Sequence, residues 1–318
     1  MGAVTVPTPA EIERAAACLR RGGLVAFPTE TVYGLGAHAT NADGMERLYA
    51  AKDRPRSHPV IVHLAHAEQV DDWAVDVPLG ARALAAACWP GPLTLVLRRS
   101  GRVPDAVTGG EDTVGLRVPD QPVAAALLAA FGDGVAAPSA NRFGRVSPTT
   151  AAHVRADLGD HVDMVLDGGP CRVGVESTIV DCSTDRPRLL RTGAIGRDHV
   201  EAIVGRRVVA SVAASDADAD APRAPGTLPR HYAPVAALEV TTRDRVAGHA
   251  ASLRGAGRRV VVLDAPTDPQ EYGRVLYARL READAPDVDV IVAPLPDIAD
   301  QVGVGAAIVD RLRRAAHP

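Results

Sequence analysis

The chain has 318 residues, of which 47% are hydrophobic and only 3% aromatic, and its formal net charge is -4 at pH 7. The length favours one large domain and a smaller one, each with an aliphatic core. Because proteins that coat nucleic acid usually present a net basic surface, this charge argues against that class.

The four cysteines form no C-x-x-C pair and have no histidine at metal-ligand spacing, which favours reduced, buried thiols. No apolar run reaches the roughly 18 residues that a membrane span needs. The N-terminus also lacks the basic segment and apolar run of a signal peptide. We therefore expect a cytoplasmic protein that does not contact the membrane.

Strands and helices follow one another irregularly over the first two thirds of the chain. Periodic apolar residues predict helices at 10–21, 42–51, 80–88, 121–131 and 149–157. Apolar runs predict strands at the start of 24–36, which then becomes a Thr/Gly-rich loop, at 59–64, 93–99 and 114–120, before 137–141, and in 164–169, 177–183 and 188–193. This order favours a mixed α/β (α+β) fold with a twisted sheet over a regular βαβ array.

The composition changes at about 206–230, where small residues, Asp and Pro replace the periodic pattern, as is typical of a linker. Beyond it, strands are predicted at 236–241, 258–266 and 288–296, alternating with helices at 243–253, 269–283 and 300–314. Such alternation predicts a small Rossmann-like parallel sheet. It has no Gly-rich phosphate loop, so we assign it no nucleotide site. The predicted division is 1–205, 206–234 and 235–318.

The segment KDRPRSHPVIVH, residues 52–63, holds Lys52, Arg54, Arg56, His58 and His63. Its two prolines keep the backbone extended, so the cations lie on a loop that enters a strand. Converging cations suit a polyphosphate, and the alternative is a solvated charged loop. His63 stands between apolar residues, where it needs a partner; the alternative there is a hydrogen-bonded core histidine.

Two further segments carry polar residues in unusual places. In VGLRVPD, Arg117 stands in mid-strand, which calls for a carboxylate, phosphate or water partner; an internal salt bridge is the alternative. In APSANRFGRVSPTT, residues 137–150, short polar side chains such as Ser139, Asn141 and Ser147 can hydrogen-bond a ligand. For Ser147 alone, an ordinary helix N-cap is the favoured interpretation.

Two more motifs follow, GVESTIVD with Glu176 and Ser177, and RTGAIG with Arg191. Residues 34–39 satisfy a loose G-x-G-x-x-[GA] pattern, but no helix follows directly and no acidic residue closes a second strand, which argues against a dinucleotide site. There is neither a P-loop nor a G-x-S-x-G elbow. Cations and hydroxyls without a covalent nucleophile suit adenylate formation by positioning and electrostatics, and equally a nucleotide-binding regulator.

Together these segments resemble the YrdC-type L-threonylcarbamoyladenylate synthases. FPTETVYGLG, Lys52-x-Arg54, WPGPLTLVL, VGLRVP, Ser139-x-Asn141 and ESTIVD follow in matching order and spacing across about 24–196. The segment PGTLPRHYAP, residues 225–234, and the small final domain resemble the long form of that family. The resemblance implies a twisted α/β domain with a large, positively lined cavity.

The resemblance also implies a reaction. L-threonine and bicarbonate give a carbamate, whose oxygen attacks the α-phosphorus of ATP, and pyrophosphate leaves threonylcarbamoyl-AMP behind. Mg²⁺ is expected on the phosphates. A separate transferase then passes the threonylcarbamoyl group to the adenosine beside the anticodon of certain tRNAs, and the resemblance leaves open a weak contact with tRNA.

Residue roles follow from the resemblance by position. The threonine side comprises Thr31, His63, Arg117, Ser139 and Ser177, with Arg117 on the carboxylate. The ATP side comprises Lys52, Arg54, His58, Thr113, Asn141, Ser147, Arg191 and Tyr232. No side chain is assigned as a general base or metal ligand. Residues 206–234 are expected to act as a lid, with Tyr232 over the nucleotide.

Two alternatives to the synthase stay open at this point. The first is a nucleotide- or RNA-binding module without catalysis. The second is a relative that transfers a plain carbamoyl group, although such relatives usually carry zinc-finger or acylphosphatase-like segments that this sequence lacks.

Overall fold

A computed structural model describes residues 6–210, 222–226, 231–297 and 301–317. Much of the predicted linker lies outside the described residues, as does the predicted first residue of the last helix, residue 300. The division at 205 and 234 therefore stays a prediction.

In the described residues the helices longer than one 3₁₀ turn are α1 Pro9–Arg20, α2 Ala42–Lys52, α3 Val70–Trp73, α4 Leu79–Cys88, α5 Asp105–Thr108, α6 Pro122–Phe131, α7 Ala151–Leu158, α8 Arg197–Val204, α9 Val246–Gly255, α10 Pro269–Ala283 and α11 Val304–Ala315. The strands are β1 Val25–Phe27, β2 Gly34–His38, β3 Ile61–His63, β4 Leu93–Arg98, β5 Thr113–Arg117, β6 Val135–Ala136, β7 Met164–Val165, β8 Thr178–Asp181, β9 Arg188–Arg191, β10 Val209–Ala210, β11 Ala237–Thr241, β12 Val260–Val262 and β13 Val290–Pro294.

The first ten strands form one mixed sheet in the order β10-β9-β8-β4-β5-β3-β6-β2-β1-β7. Parallel pairs such as β3 with β5 and β4 with β8 adjoin antiparallel pairs such as β4 with β5. The predicted mixed α/β sheet is confirmed. In the parallel register of β3 and β5, His63 lies opposite Arg117. The two ionisable residues that interrupt apolar strands are therefore neighbours at the carboxyl ends of these adjacent strands.

The Gly-rich end of 24–36 is a strand, not the predicted loop. Gly34–His38 forms β2, which pairs antiparallel with β1. A Cβ on Gly36 would lie 2.8 Å from Val135 Cγ1 and 2.9 Å from Phe27 Cε1. The glycine is therefore required by close packing across the sheet, and its backbone is not a phosphate-binding turn.

The N-cap interpretation of Ser147 is wrong. Helix α7 begins after Thr150, whose hydroxyl accepts the backbone N–H of His153. The Ser147 hydroxyl instead donates to Glu176 Oε1 at 2.6 Å, and both residues are buried. The sequence offers three hydroxyl residues near the helix start, Ser147, Thr149 and Thr150, and only the folded structure distinguishes them.

The C-terminal strands form a separate parallel sheet in the order β11-β13-β12, as the alternating pattern predicts. The central strand β13 is buried along its whole length. This small domain does not stand apart from the first, because one apolar cluster contains residues of both: Val32, Val146, Val175 and Tyr232 pack with a set that includes Leu276, Tyr277, Ile291 and Ile308.

Ile291→Ala should destabilise the chain by about 2–5 kcal/mol, because it opens a cavity in the middle of the buried central strand. Val262→Ala on the edge strand β12, where the side chain is 37% exposed, is the control and should cost less than about 1 kcal/mol. Urea unfolding of both variants measures the difference. Equal losses would contradict a tightly packed small sheet.

Candidate functional site

A cavity lies beside the carboxyl ends of β3 and β5, and residues that precede the C-terminal domain form part of its lining. The predicted site residues that line it are Thr31, Arg54, His63, Arg117, Ser139, Ser177, Arg191 and Tyr232. The remaining predicted residues, Lys52, His58, Thr113, Asn141 and Ser147, lie outside its lining. Glu176 and His231 also line it, and neither was assigned a role from the sequence.

Arg117 realises the internal salt bridge that the sequence left open. Its Nη2 lies 2.7 Å from Glu30 Oε1, and both side chains are almost wholly buried. Its Nη1 donates to Thr31 Oγ1 at 2.9 Å, and its Nε donates to the carbonyl of Gly91 at 3.3 Å. The guanidinium is thus fixed while it still faces the cavity. Glu30 is the residue that sequence reasoning missed, although the one carboxylate in FPTETVYGLG was the available signal.

His63 presents a neutral imidazole to the cavity. Burial lowers its pKa to about 3, and the nearby charge of Arg117 adds to that effect. Among the described residues its Nδ1 has no hydrogen-bond partner. The alternative of a hydrogen-bonded core histidine is therefore only partly met, and one ring nitrogen is left for a ligand.

Arg191 ties three parts of the site together. Its Nη2 donates to Ser177 Oγ at 3.0 Å and its Nε to the Ser177 carbonyl at 3.0 Å. Its Nη1 donates to the carbonyl of Pro225 at 2.8 Å, which belongs to the segment before the C-terminal domain. The Ser177 hydroxyl also lies 2.7 Å from Thr94 Oγ1. Burial lowers the pKa of Arg191, which remains a cation beside the cavity.

The basic segment 52–63 divides into a buried part and a solvated part. Arg54 turns inward, where it donates to the Pro59 carbonyl at 2.8 Å and packs over the ring of Phe143. Burial lowers its pKa to about 10. The His58 ring also packs against Phe143, with 5.2 Å between the two ring centroids. Arg56 forms an exposed ion pair, so the solvated alternative holds for that residue.

Lys52 supports the loop at 139–141 from beneath. It is the last residue of α2 and is 1% exposed, and its Nζ donates to the carbonyls of Ser139 and Asn141. Burial lowers its pKa well below the usual value. The amide of Asn141 donates to two further carbonyls of its own loop. Lys52 and Asn141 thus shape the wall that carries Ser139.

Thr113 is the predicted site residue least connected to the others. It begins β5, where it pairs with Arg98 of β4, and it is half-buried. The structure therefore places it four residues before Arg117 on the same strand, away from the carboxyl end where the cavity lies.

Glu176 is the carboxylate that lines the cavity. Its Oε1 accepts the Ser147 hydroxyl, and its Oε2 accepts Tyr277 Oη and Arg311 Nε, each at 2.8 Å. Burial alone would raise its pKa, but the guanidiniums of Arg311 and Arg191 outweigh burial and hold the pKa at about 2. Glu176 is therefore ionised at neutral pH, and both its oxygens are already engaged.

No resident metal site is formed by the described residues, among which no group of three His, Cys, Asp or Glu side chains could hold an ion. Nucleotide-bound Mg²⁺ commonly relies on phosphate oxygens and water with few protein carboxylates. Because Glu176 is fully engaged, the residues fit an ion that arrives with the nucleotide better than one held by the protein.

Two further features concern the whole of the described part of the chain. All four cysteines are buried there. None of its helices combines the length and apolar character that crossing a bilayer requires.

Known proteins share both the sequence and the fold. The family described as "Telomere recombination" matches residues 17–193, and that described as "Threonylcarbamoyl-AMP synthase, C-terminal domain" matches 195–317. The threonylcarbamoyl-AMP synthase of Bacillus subtilis is 41% identical, covering 96% of this chain and 93% of its own. That of Pyrococcus abyssi is 38% identical, covering 96% and 94%. The crystal structure of P. abyssi Sua5 complexed with L-threonine has a TM-score of 0.90 at 38% identity, covering 98% of this chain and 96% of its own. The chain therefore belongs to the threonylcarbamoyl-AMP synthase family, in the long form with a C-terminal domain.

Proposed function

We propose that this protein is a nucleotidyltransferase that forms threonylcarbamoyl-AMP and pyrophosphate from L-threonine, bicarbonate and ATP. The observation that carries the proposal is a cavity in which buried cations and hydroxyls converge, in a chain similar over nearly its whole length to synthases of that name. The product would serve a separate transferase in the cytoplasm as the activated precursor for tRNA modification next to the anticodon.

On the threonine side, Arg117 would bind the substrate carboxylate. Glu30 and Thr31 hold its guanidinium in place, so little freedom is lost on binding. The unpaired nitrogen of neutral His63 can accept a hydrogen bond from a substrate donor. Ser139 and Ser177 complete the proposed contacts.

On the ATP side, buried cations would neutralise the charge that develops as pyrophosphate leaves. Arg54 and Arg191 line the cavity, and charges fixed in a site of low water content act strongly on a transition state. The other residues proposed for this side are Lys52, His58, Thr113, Asn141, Ser147 and Tyr232. Attack by the carbamate oxygen on the α-phosphorus then needs alignment of two bound substrates, with no covalent enzyme intermediate.

The segment before the C-terminal domain would act as a lid. Only about 50 Å³ of the cavity is open to water, whereas pockets for ligands of nucleotide size measure about 300–1,000 Å³. Pro225, Gly226, His231 and Tyr232 all line this space. Movement of these residues would admit the substrates, and their return would exclude water from a labile mixed anhydride.

The activity test is direct. Purified protein with MgATP, L-threonine and bicarbonate should release pyrophosphate only when all three are present, and mass spectrometry should detect threonylcarbamoyl-AMP. Binding of ATP without threonine-dependent pyrophosphate would instead support a nucleotide-binding module.

Arg117→Ala should weaken threonine recognition by about 2–4 kcal/mol, because a carboxylate loses a charged, two-pronged partner. Since the single change also strands the buried Glu30, the variant should be made together with Glu30→Gln. Steady-state KM values for threonine and ATP measure the effect. Arg98→Ala, which removes an exposed ion pair on β4, is the control. Near-normal threonine dependence would show that the carboxylate binds elsewhere.

Lys52→Ala should raise KM for ATP by about 10- to 100-fold, because the loop that carries Asn141 of the ATP side loses the two charge-assisted hydrogen bonds that support it. Lys52→Arg should not restore it, because the larger planar group does not fit a fully buried position that caps two carbonyls. Arg56→Ala is the control. Arg56 is exposed and lies four residues after Lys52, so the change should alter neither KM. A change in threonine KM alone would reverse the assignment of Lys52 to the ATP side.

Glu111→Arg should loosen the lid, because Glu111 pairs with Arg223 at 2.5 Å just before Pro225. An exposed pair contributes about 0.2–1 kcal/mol, so the fraction of threonylcarbamoyl-AMP lost to solvent should rise by up to about fivefold. Rapid gel filtration separates bound from free product. The charge-swapped double variant Glu111→Arg/Arg223→Glu should recover retention of threonylcarbamoyl-AMP. Unchanged retention in the single variant would show that the Glu111–Arg223 ion pair does not hold the lid.

A further inference from the structure

The C-terminal domain contributes two buried polar side chains that lie behind the cavity wall and contact two of its lining residues, Glu176 and Tyr232. Arg311 lies on α11 and Tyr277 on α10, and both are 0% exposed. Arg311 Nε and Tyr277 Oη each donate to Glu176 Oε2 at 2.8 Å. The first domain supplies the third donor to this carboxylate, the Ser147 hydroxyl. One cavity carboxylate is thus held mainly from the other domain.

The same two side chains also support Tyr232. The Arg311 guanidinium lies 5.1 Å from the Tyr232 ring centroid, and the Tyr277 ring stacks on Tyr232 at 5.9 Å and 22°. Tyr232 has φ 62°, a backbone conformation that residues other than glycine rarely adopt. Its Oη faces the cavity and has no hydrogen-bond partner among the described residues. The packing on Arg311 and Tyr277 therefore holds the phenol in one orientation despite the unfavourable backbone conformation of Tyr232.

Each of the three guanidinium nitrogens of Arg311 donates a hydrogen bond. Besides Glu176, its Nη2 donates to the Thr192 carbonyl at 2.9 Å and its Nη1 pairs with Asp310 at 2.5 Å. Thr192 directly follows Arg191, the residue that contacts Ser177 and Pro225. A planar fork fixes the relative positions of three groups, which a lysine could not do.

We propose that Arg311 and Tyr277 are positioning residues of the synthase reaction, through which the C-terminal domain orients Glu176 and Tyr232 on the nucleotide side of the cavity. The inference rests on the proposed function and adds a role for a domain that has no nucleotide-binding loop of its own. The groups that these residues reach, namely Ser147, Tyr232 and the backbone beside Arg191, belong to the proposed ATP side. Within the described part of the chain, the side-chain hydrogen bonds and ion pair of Arg117 go to Glu30, Thr31 and Gly91 and to none of these groups.

The decisive comparison is Tyr277→Phe against Tyr272→Phe. Both tyrosines are fully buried on α10, and each donates one hydrogen bond at 2.8 Å, Tyr272 to the Pro294 carbonyl. Both variants should lose similar thermal stability. Only Tyr277→Phe should lower kcat/KM for ATP, by about 5- to 50-fold for one donor lost to a charged acceptor. The KM for threonine should stay within about twofold in both.

A second comparison tests whether Arg311 acts through Glu176. Arg311→Met leaves the carboxylate unpaired, and Arg311→Lys restores charge without the fork. Arg243→Met is the control. The Arg243 guanidinium lies 5.8 Å from the Tyr272 ring centroid, and Arg243 does not line the cavity. In a double-mutant cycle with Glu176→Gln, the effects on kcat/KM for ATP should be clearly non-additive, with the double variant no worse than Arg311→Met.

Wild-type pyrophosphate release is measured first, so loss of the proposed function is seen independently of the variants. Given an active wild type, equal kinetics for Tyr277→Phe and Tyr272→Phe would overturn the positioning role. An equal rise in the KM for threonine and for ATP would overturn it as well, because that pattern indicates general loosening of the fold.

Discussion

The structure depends on burying positive charge around one cavity. Lys52, Arg54, Arg117 and Arg191 are all under a tenth exposed. Removing a cation from water costs several kcal/mol unless other groups replace the hydration. Here backbone carbonyls serve Lys52, Arg54 and Arg191, while Arg117 has the buried carboxylate of Glu30. Carbonyl dipoles compensate a full charge only in part, so a polyanion that enters the cavity supplies what the fold lacks.

This constraint also explains a feature of the composition. Lys52 is the only lysine among the 35 basic residues of the chain. Elsewhere the planar fork of arginine pairs with carboxylates or packs on rings, as at Arg311 and Arg117. Beneath the loop at 139–141, two carbonyls converge on one point in a fully buried space. A compact ammonium meets that geometry, whereas a guanidinium would need more room and more acceptors.

Local signals were predictable from the sequence, and long-range partners were not. Helix α10 matches the predicted 269–283 because Asp268 caps it, Pro269 opens it and its apolar residues repeat with helical spacing. Arg117 was recognised as a charge in an apolar strand, yet its side-chain partner Thr31 lies 86 residues earlier. Likewise, Gly36 pairs with Val25 of β1, and a side chain is excluded there because Val135, distant in the sequence, lies too close. Strand register and side-chain packing determine these contacts, and neither can be deduced from the neighbouring residues in the sequence.

The C-terminal domain shows how a domain without a binding loop can still complete a site. Glu176 is an ionised carboxylate in a buried part of the cavity wall, and its own domain supplies it with one hydrogen bond from a hydroxyl. Helices α10 and α11 supply the other two donors, so docking of the small domain and the shape of the cavity stabilise each other. Such coupling is reciprocal. A ligand that favours the ordered position of Glu176 and Tyr232 must therefore also favour docking of the C-terminal domain, by the same free energy.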